Sequence, residues 1–420
     1  MQDPHAPASP DLSTLGRVFG RIGVLSFGGP AAQIALMHRV LVEERGWLSE
    51  ERFAAALSFC MLLPGPEAMQ LATYAGWRLR GVPGGLLAGL LFVLPGAAVI
   101  FALAAIYVSH GDVPWVEAAF LGIKAAVVVI VIEALKKIAK RALTAPDRWA
   151  VAALAFAAIF LFDASFPFII GAAVVYGWLT ASGEARPAPA PERPGTLRTV
   201  AIWGAIWLLP LLGLRLVGAD LLWEIGAFFA RLAVVTFGGA YAVLAWMAQE
   251  AVEAKGWLTA EQMVDALGLA ETTPGPLILV TQFVGTLAAL PGGPWMALAG
   301  GLVTLHATFA PCFLWIFAGA PWLEWITSRP RPAAALGAVT AAVVGVILNL
   351  SLWFAAHVFF AEVGEWSAGP MHLPAVSGPD HTAVALAGLA AILLFRLRWP
   401  LWAVLGACAA GGVLAGIAGA

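Results

Sequence analysis

Two glycine- and proline-rich clusters interrupt otherwise apolar runs in the first half of this sequence: Ser26-Phe27-Gly28-Gly29-Pro30 and Pro64-Gly65-Pro66. Proline has no amide hydrogen and clashes with the preceding helical turn, while glycine accepts backbone conformations closed to other residues. Each cluster therefore predicts a helix break. A break leaves N–H and C=O groups unpaired, which membrane depth tolerates only where protein or a wet cavity meets them. Exposed N–H groups at the start of the following half-helix favour an anion. The second half carries the same pattern in Thr236-Phe237-Gly238-Gly239 and Pro274-Gly275-Pro276. Simple kinks, or glycines that let helices pack closely, are the alternative reading.

Charged and amide side chains surround these breaks. Arg21 and Arg231 each lie seven residues before a break glycine, Gly28 and Gly238, hence on the same helix face. A buried arginine costs about 2.5–3.5 kcal/mol on insertion scales. Bidentate contact with an oxyanion is one use for such a residue; reaching the headgroups is the other. Glu67 directly follows Pro66, and Glu271 lies three residues before Pro274. Each is a candidate proton carrier, an arginine partner or a cap on free amides. Gln33, Gln70 and Gln282 are neutral groups placed to line a cavity.

No zinc spacing, P-loop, nucleophile elbow or dinucleotide fingerprint accompanies them, so the expectation is a non-enzyme with no cofactor, metal or nucleic-acid partner. Cys60, Cys312 and Cys408 fall inside apolar segments at no ligand spacing and read as packed thiols.

The elements that must position these residues follow from composition. Of 420 residues, 61% are hydrophobic and 11% charged, against about 25% charged in soluble domains. Mean hydropathy is +0.87. Apolar stretches recur near 15–38, 53–77, 83–108, 116–135, 149–162, 166–180, 199–217, 221–249, 262–290, 294–320, 335–356, 382–395 and 399–418. Most are long enough to cross about 30 Å of hydrocarbon as helices. Strand-like alternation is absent, which excludes a β-barrel. The expected fold class is an all-α polytopic membrane protein of about 13 segments, some broken or half-spanning. The polar first residues read as a soluble tail (1–14) rather than a cleaved signal. A first repeat (15–180), a Pro-rich linker with an extra helix (181–220) and a second repeat (221–420) follow.

The repeat rests on register. Arg21, the Phe27 cluster, Gly46-Trp47-Leu48 and Pro64-Gly65-Pro66 all recur after the same offset of 210 residues. Further on the offset drifts, with Ala125-Ala126-Val127-Val128 matching Ala341-Ala342-Val343-Val344. Loop charge differs between the copies. Lys136, Lys137, Lys140, Arg141 and Arg148 follow the fourth segment of the first half; Glu362, Glu365 and Asp380 follow the fourth segment of the second, after its linking helix. Since Lys and Arg concentrate in cytoplasmic loops, the halves are expected to be inverted, with a cytoplasmic N-terminus and an external C-terminus.

With these motifs in hand, the sequence resembles the chromate ion transporter family in its long, two-domain form. Ser26-Phe-Gly-Gly-Pro30, Gly46-Trp47-Leu48 with Phe53, Leu63-Pro-Gly-Pro66 and Gln70 carry the resemblance, with Phe237-Gly-Gly239, Gly256-Trp-Leu258 and Thr273-Pro-Gly-Pro276 in the second half. Many members have a histidine after the first Gly-Gly-Pro, where this chain has Gln33. The resemblance implies a bacterial or archaeal inner-membrane carrier that expels chromate or a related tetrahedral oxyanion. The partners it implies are that anion and the lipid bilayer, with a homodimer allowed. Two rival readings are a sulfate-type uptake carrier or exchanger, and a channel or scaffold whose breaks are only structural.

Overall fold

The structure, a computed structural model, describes residues 10–27, 29–110, 113–183, 195–237, 240–368 and 371–419. The first half supplies α1 (Leu12–Leu25), α2 (Gly29–His38), α3 (Glu50–Leu62), α4 (Glu67–His110), α5 (Pro114–Ala142), α6 (Pro146–Phe162) and α7 (Phe166–Leu179). The second supplies α8 (Thr196–Leu216), α9 (Asp220–Val235), α10 (Ala240–Gln249), α11 (Ala260–Thr272), α12 (Val280–Ala289), α13 (Pro294–Gly319), α14 (Leu323–Thr327), α15 (Pro330–Phe359), α16 (His381–Ala391) and α17 (Leu401–Gly419). Each apolar stretch read from the sequence contains helix among its described residues, interrupted at the glycine- and proline-rich clusters. Six helical stretches among the described residues are long and apolar enough to cross a membrane: Glu67–His110, Pro114–Ala142, Thr196–Leu216, Pro294–Trp322, Pro330–Phe359 and Leu401–Ala418. The protein is an all-α polytopic membrane protein.

Local chemistry sets the helix ends. Asp11 caps α1 by accepting the Thr14 amide at 3.0 Å, and Thr14 holds the Asp11 carboxyl below its usual range. Ser49 caps α3 through the Arg52 amide. Both expected breaks appear in the first half: α1 stops at Ser26 before α2 starts at Gly29, and α3 stops before Pro64 while α4 starts at Glu67.

The nominal span α4 is two arms. Arg80 and Gly81 leave helical geometry, with φ +63° at the glycine. A Cβ on Gly76 would fall 2.2 Å from the Gly84 carbonyl, so the chain reverses there. In the second half the corresponding reversal uses a longer turn, a 3-10 turn at Leu290–Gly292 followed by Gly293, between α12 and α13. Those additional residues account for the drift in offset from 210 to 216, the value that relates Ala125 to Ala341.

The packing forms two compact units, and each draws on both halves. The first comprises Met1–Phe101, Ala181–Ala240 and Thr273–Ala334; the second Ala102–Thr180, Tyr241–Thr272 and Ala335–Ala420. In the first unit α13 packs against α8, α9 and α12. Trp207 of α8 donates its indole N–H to the Ala307 carbonyl at 3.1 Å, and its own carbonyl lies 2.9 Å from His306 Nε2. In the second unit α5 packs on α11, α16 and α17. The three cysteines are free and buried.

Beside the helices, Phe360–Ala368 (β1) and Met371–Pro379 (β2) form one short antiparallel ribbon in register Phe360↔Pro379. Its sequence has no regular apolar alternation, and a backbone ladder pairs the two strands. A sequence pattern could not reveal it.

Candidate functional site

The breaks of the two halves meet in the first unit. The Ser26 hydroxyl, at the end of α1, turns back to donate to the Ile22 carbonyl at 2.6 Å, which leaves the Ser26 main-chain carbonyl beyond the helix. Thr236 does the same at the end of α9, donating to Leu232 at 2.6 Å. Both residues are 1% exposed. The Gly65 amide donates to the Thr236 carbonyl at 2.8 Å, and the Gly275 amide donates to the Ser26 carbonyl at 2.8 Å. Each Pro-Gly-Pro corner thus closes on the first break of the other half.

Positive φ explains the glycines. Gly65 has φ +116° and Gly275 φ +87°, conformations that cost an L side chain dearly. There is also little room: a Cβ on Gly65 would lie 2.9 Å from both Cys312 Sγ and Gln70 Nε2. On the opposite corner, a Cβ on Gly96 would lie 2.1 Å from the Pro274 carbonyl. Gly96 and Cys312 are themselves related by the 216 offset, as are Pro95 and Pro311 inside the long helices. A second reciprocal contact uses the same arms. A Cβ on Gly85 would be 2.6 Å from the Phe317 ring, and one on Gly301 would be 2.6 Å from the Phe101 ring.

Three glutamines break this symmetry. Gln33 donates Nε2 to the Gly275 carbonyl at 2.6 Å and to Ser26 at 3.4 Å. Gln70 donates to Pro64 at 2.7 Å, and Gln282 to Ala97 at 3.0 Å. All three are buried, and the Oε1 atom of each has no protein hydrogen-bond partner. The positions matched by the 210 offset are Val243, Val280 and Ala72.

The other residues singled out in the sequence differ in exposure and in the unit they belong to. Pro64, Pro66, Pro274 and Pro276 are buried, Gly29 and Pro30 are half-buried at the start of α2, and Phe237 is half-buried. Glu67 is half-buried as the first residue of α4. Glu271 is buried near the end of α11 and belongs to the second unit. Phe27 is 43% exposed. Arg21 and Arg231 lie on exposed faces, and Arg231 donates to the Ala227 carbonyl of its own helix at 3.3 Å. Gly28, Gly238 and Gly239 lie outside the described residues. Sequence reasoning missed Gly96, Cys312, Phe101 and Phe317. The matched prolines Pro95 and Pro311 were the available signal.

Chemically, the core combines satisfied glycine amides with a helix start at Glu67, whose first-turn amides have no partner inside the helix. It adds three buried amide oxygens that accept. Each of these oxygens is an acceptor that a donor from water or a hydroxyl would satisfy.

The sequence pattern described as Chromate transporter matches twice, at residues 13–178 and 223–413. A chromate transport protein of Pseudomonas aeruginosa is 34% identical over 392 residues, covering 90% of this chain and 91% of that one. A chromate transport protein of Cupriavidus metallidurans is 32% identical over 347 residues, 82% of each chain. A probable chromate transport protein of Synechococcus elongatus is 32% identical over 346 residues, 82% of this chain and 84% of that one. No solved structure matches.

Proposed function

The chain belongs to the chromate transporter family, a membership that supports chromate transport, and from it we propose a secondary carrier that exports chromate or a related tetrahedral oxyanion across the bacterial inner membrane. The supporting observation is the reciprocal closure of the breaks, Gly65 on Thr236 and Gly275 on Ser26. Broken helices at matched places in two halves are the arrangement in which carriers bind substrate near the midplane.

In this reading the anion sits against the first turn of α4 and the glutamine-lined core, where the helix dipole favours negative charge. Loop charge supports inverted halves with the N-terminus inside. Alternating access then amounts to exchange of roles between the two crossed corners. Arg21 and Arg231, on exposed faces, serve the headgroup region rather than the first contact with the anion.

The test is transport by the purified full-length chain in proteoliposomes loaded with chromate. A carrier shows saturable flux and accelerated counterflow, and sulfate competes according to its fit. Flux that rises linearly with concentration and lacks counterflow would make the protein a channel. Saturable sulfate flux that chromate does not inhibit would reassign the cargo.

A further inference from the structure

The second unit buries an ion pair for which the anion site has no use. Lys124 lies in the N-terminal half of the 29-residue α5 and is 8% exposed. Its Nζ is 3.2 Å from Asp265 Oδ1 and 3.6 Å from a Glu261 carboxylate oxygen, both on α11. Asp265 is 5% exposed, and its Oδ2 accepts the Tyr107 hydroxyl at 2.8 Å. Oδ1 receives no well-aligned hydrogen bond despite the nearby ammonium. Glu261, by contrast, has 67% of its side chain exposed. The four groups form a line from a surface carboxylate, through an ammonium, to a buried carboxylate and a phenol.

Ionisable groups within spans are expensive, and function is the default reason to keep them. A clamp that merely holds helices together is the bland alternative, and a buried pair is weak evidence of stability. The repeat supplies a comparison. Lys124 and Tyr107 match Thr340 and Leu323 at the 216 offset, and Asp265 matches Ala55 at 210. The duplicated scaffold is therefore built once without an ionisable group at any of these three places.

We propose that Asp265 is a proton-binding site, loaded from the surface past Glu261 and read out by Lys124. A hydronium ion gives up one proton to Oδ1, so that one of its O–H bonds breaks, one O–H bond forms on the carboxylate, which is neutralised, and water is left. The ammonium, still charged, then turns to the Glu261 carboxylate as its remaining counter-ion. The three side chains pass from a net charge of −1 to 0, and release of the proton reverses the step. The groups facing Asp265 are Lys124 from α5, Tyr107 from α4 and Glu261 one turn away on its own helix. Protonation thus changes which carboxylate on α11 holds α5. That is a two-state contact of the kind a coupling ion can drive.

Infrared difference spectroscopy of the full-length protein in lipid, titrated from neutral to acid, tests this without any transported anion. The expected result is a C=O stretch from one protonated carboxyl that is missing in Asp265→Asn. Tyr107→Phe, which removes one hydroxyl and keeps the ring, should move that band to higher frequency, because the carboxyl loses a donor. No acid-induced band in the parent, or a band unchanged in both variants, would overturn the assignment. Because no chromate is added, a wrong cargo leaves this outcome unaffected.

Discussion

The Gly65 amide reaches the Thr236 carbonyl at 2.8 Å, and 210 residues further along the chain the Gly275 amide reaches the Ser26 carbonyl at the same distance. Each corner glycine amide is satisfied by the other half. The hydroxyl of each break residue donates within its own helix, and its main-chain carbonyl accepts from the other copy. Apolar surroundings make an unmet amide or carbonyl cost about 1–3 kcal/mol, so these two bonds constrain where the corners lie.

Gly65→Ala and Gly275→Ala should each abolish or strongly reduce chromate flux while the protein still inserts. Positive φ and the 2.9 Å approach of Cys312 and Gln70 make the first substitution strained, by about 1–3 kcal/mol. Flux in proteoliposomes and the amount of protein extracted from membranes measure the two effects. Normal flux in both variants would refute the site.

Gln33→Val installs the residue found at the matched position, Val243. It removes the donor to the Gly275 carbonyl, a loss of about 1–3 kcal/mol for a buried acceptor. Tm should fall by several degrees and the KM for chromate should rise several-fold. A lower Tm with KM unchanged would reduce Gln33 to a brace.

The reciprocal aromatic contacts predict paired behaviour. Gly85→Ala must displace Phe317, and Gly301→Ala must displace Phe101, each from 2.6 Å. Overpacking of this kind costs about 1–3 kcal/mol, and unfolding in detergent should show similar losses for the two variants. If one variant matches the parent while the other is destabilised, the two contacts are not equivalent.

Topology can be checked by thiol labelling, since Cys60, Cys312 and Cys408 are buried and give little background. Cysteines at Thr144, between α5 and α6, and at Ser328, after α14, should label from the cytoplasm. A cysteine at Ala361 in β1 should label from outside. Reversal at any one of the three sites would break the inverted arrangement.

The breaks were legible because proline and glycine act locally, and the repeat was legible because four motifs keep one offset. What faces the breaks was not. Gly96 is one glycine among 45, and Cys312 looked like any packed thiol. Only the fold sets them against the Pro-Gly-Pro corners. A spacing of seven put Arg21 on the face of Gly28, but the buried stripe of α1 runs through Leu15, Val18, Phe19 and Ile22. Arg21 lies about a third of a turn from that stripe at 3.6 residues per turn. Lys124 stands in the apolar stretch 116–135, between Glu117 and Glu133. Asp265 stood in the other half of the sequence, and no local pattern joins the two. The β1–β2 ribbon escaped because its sequence shows no regular apolar alternation.

The crossed corners make each half self-complementary. A polypeptide ending after α7 would present one glycine amide seeking a carbonyl and one serine carbonyl seeking an amide, Gly65 and Ser26. Two such polypeptides could supply each other with both. Cutting the chain within residues 184–194 should leave two fragments that remain bound to each other.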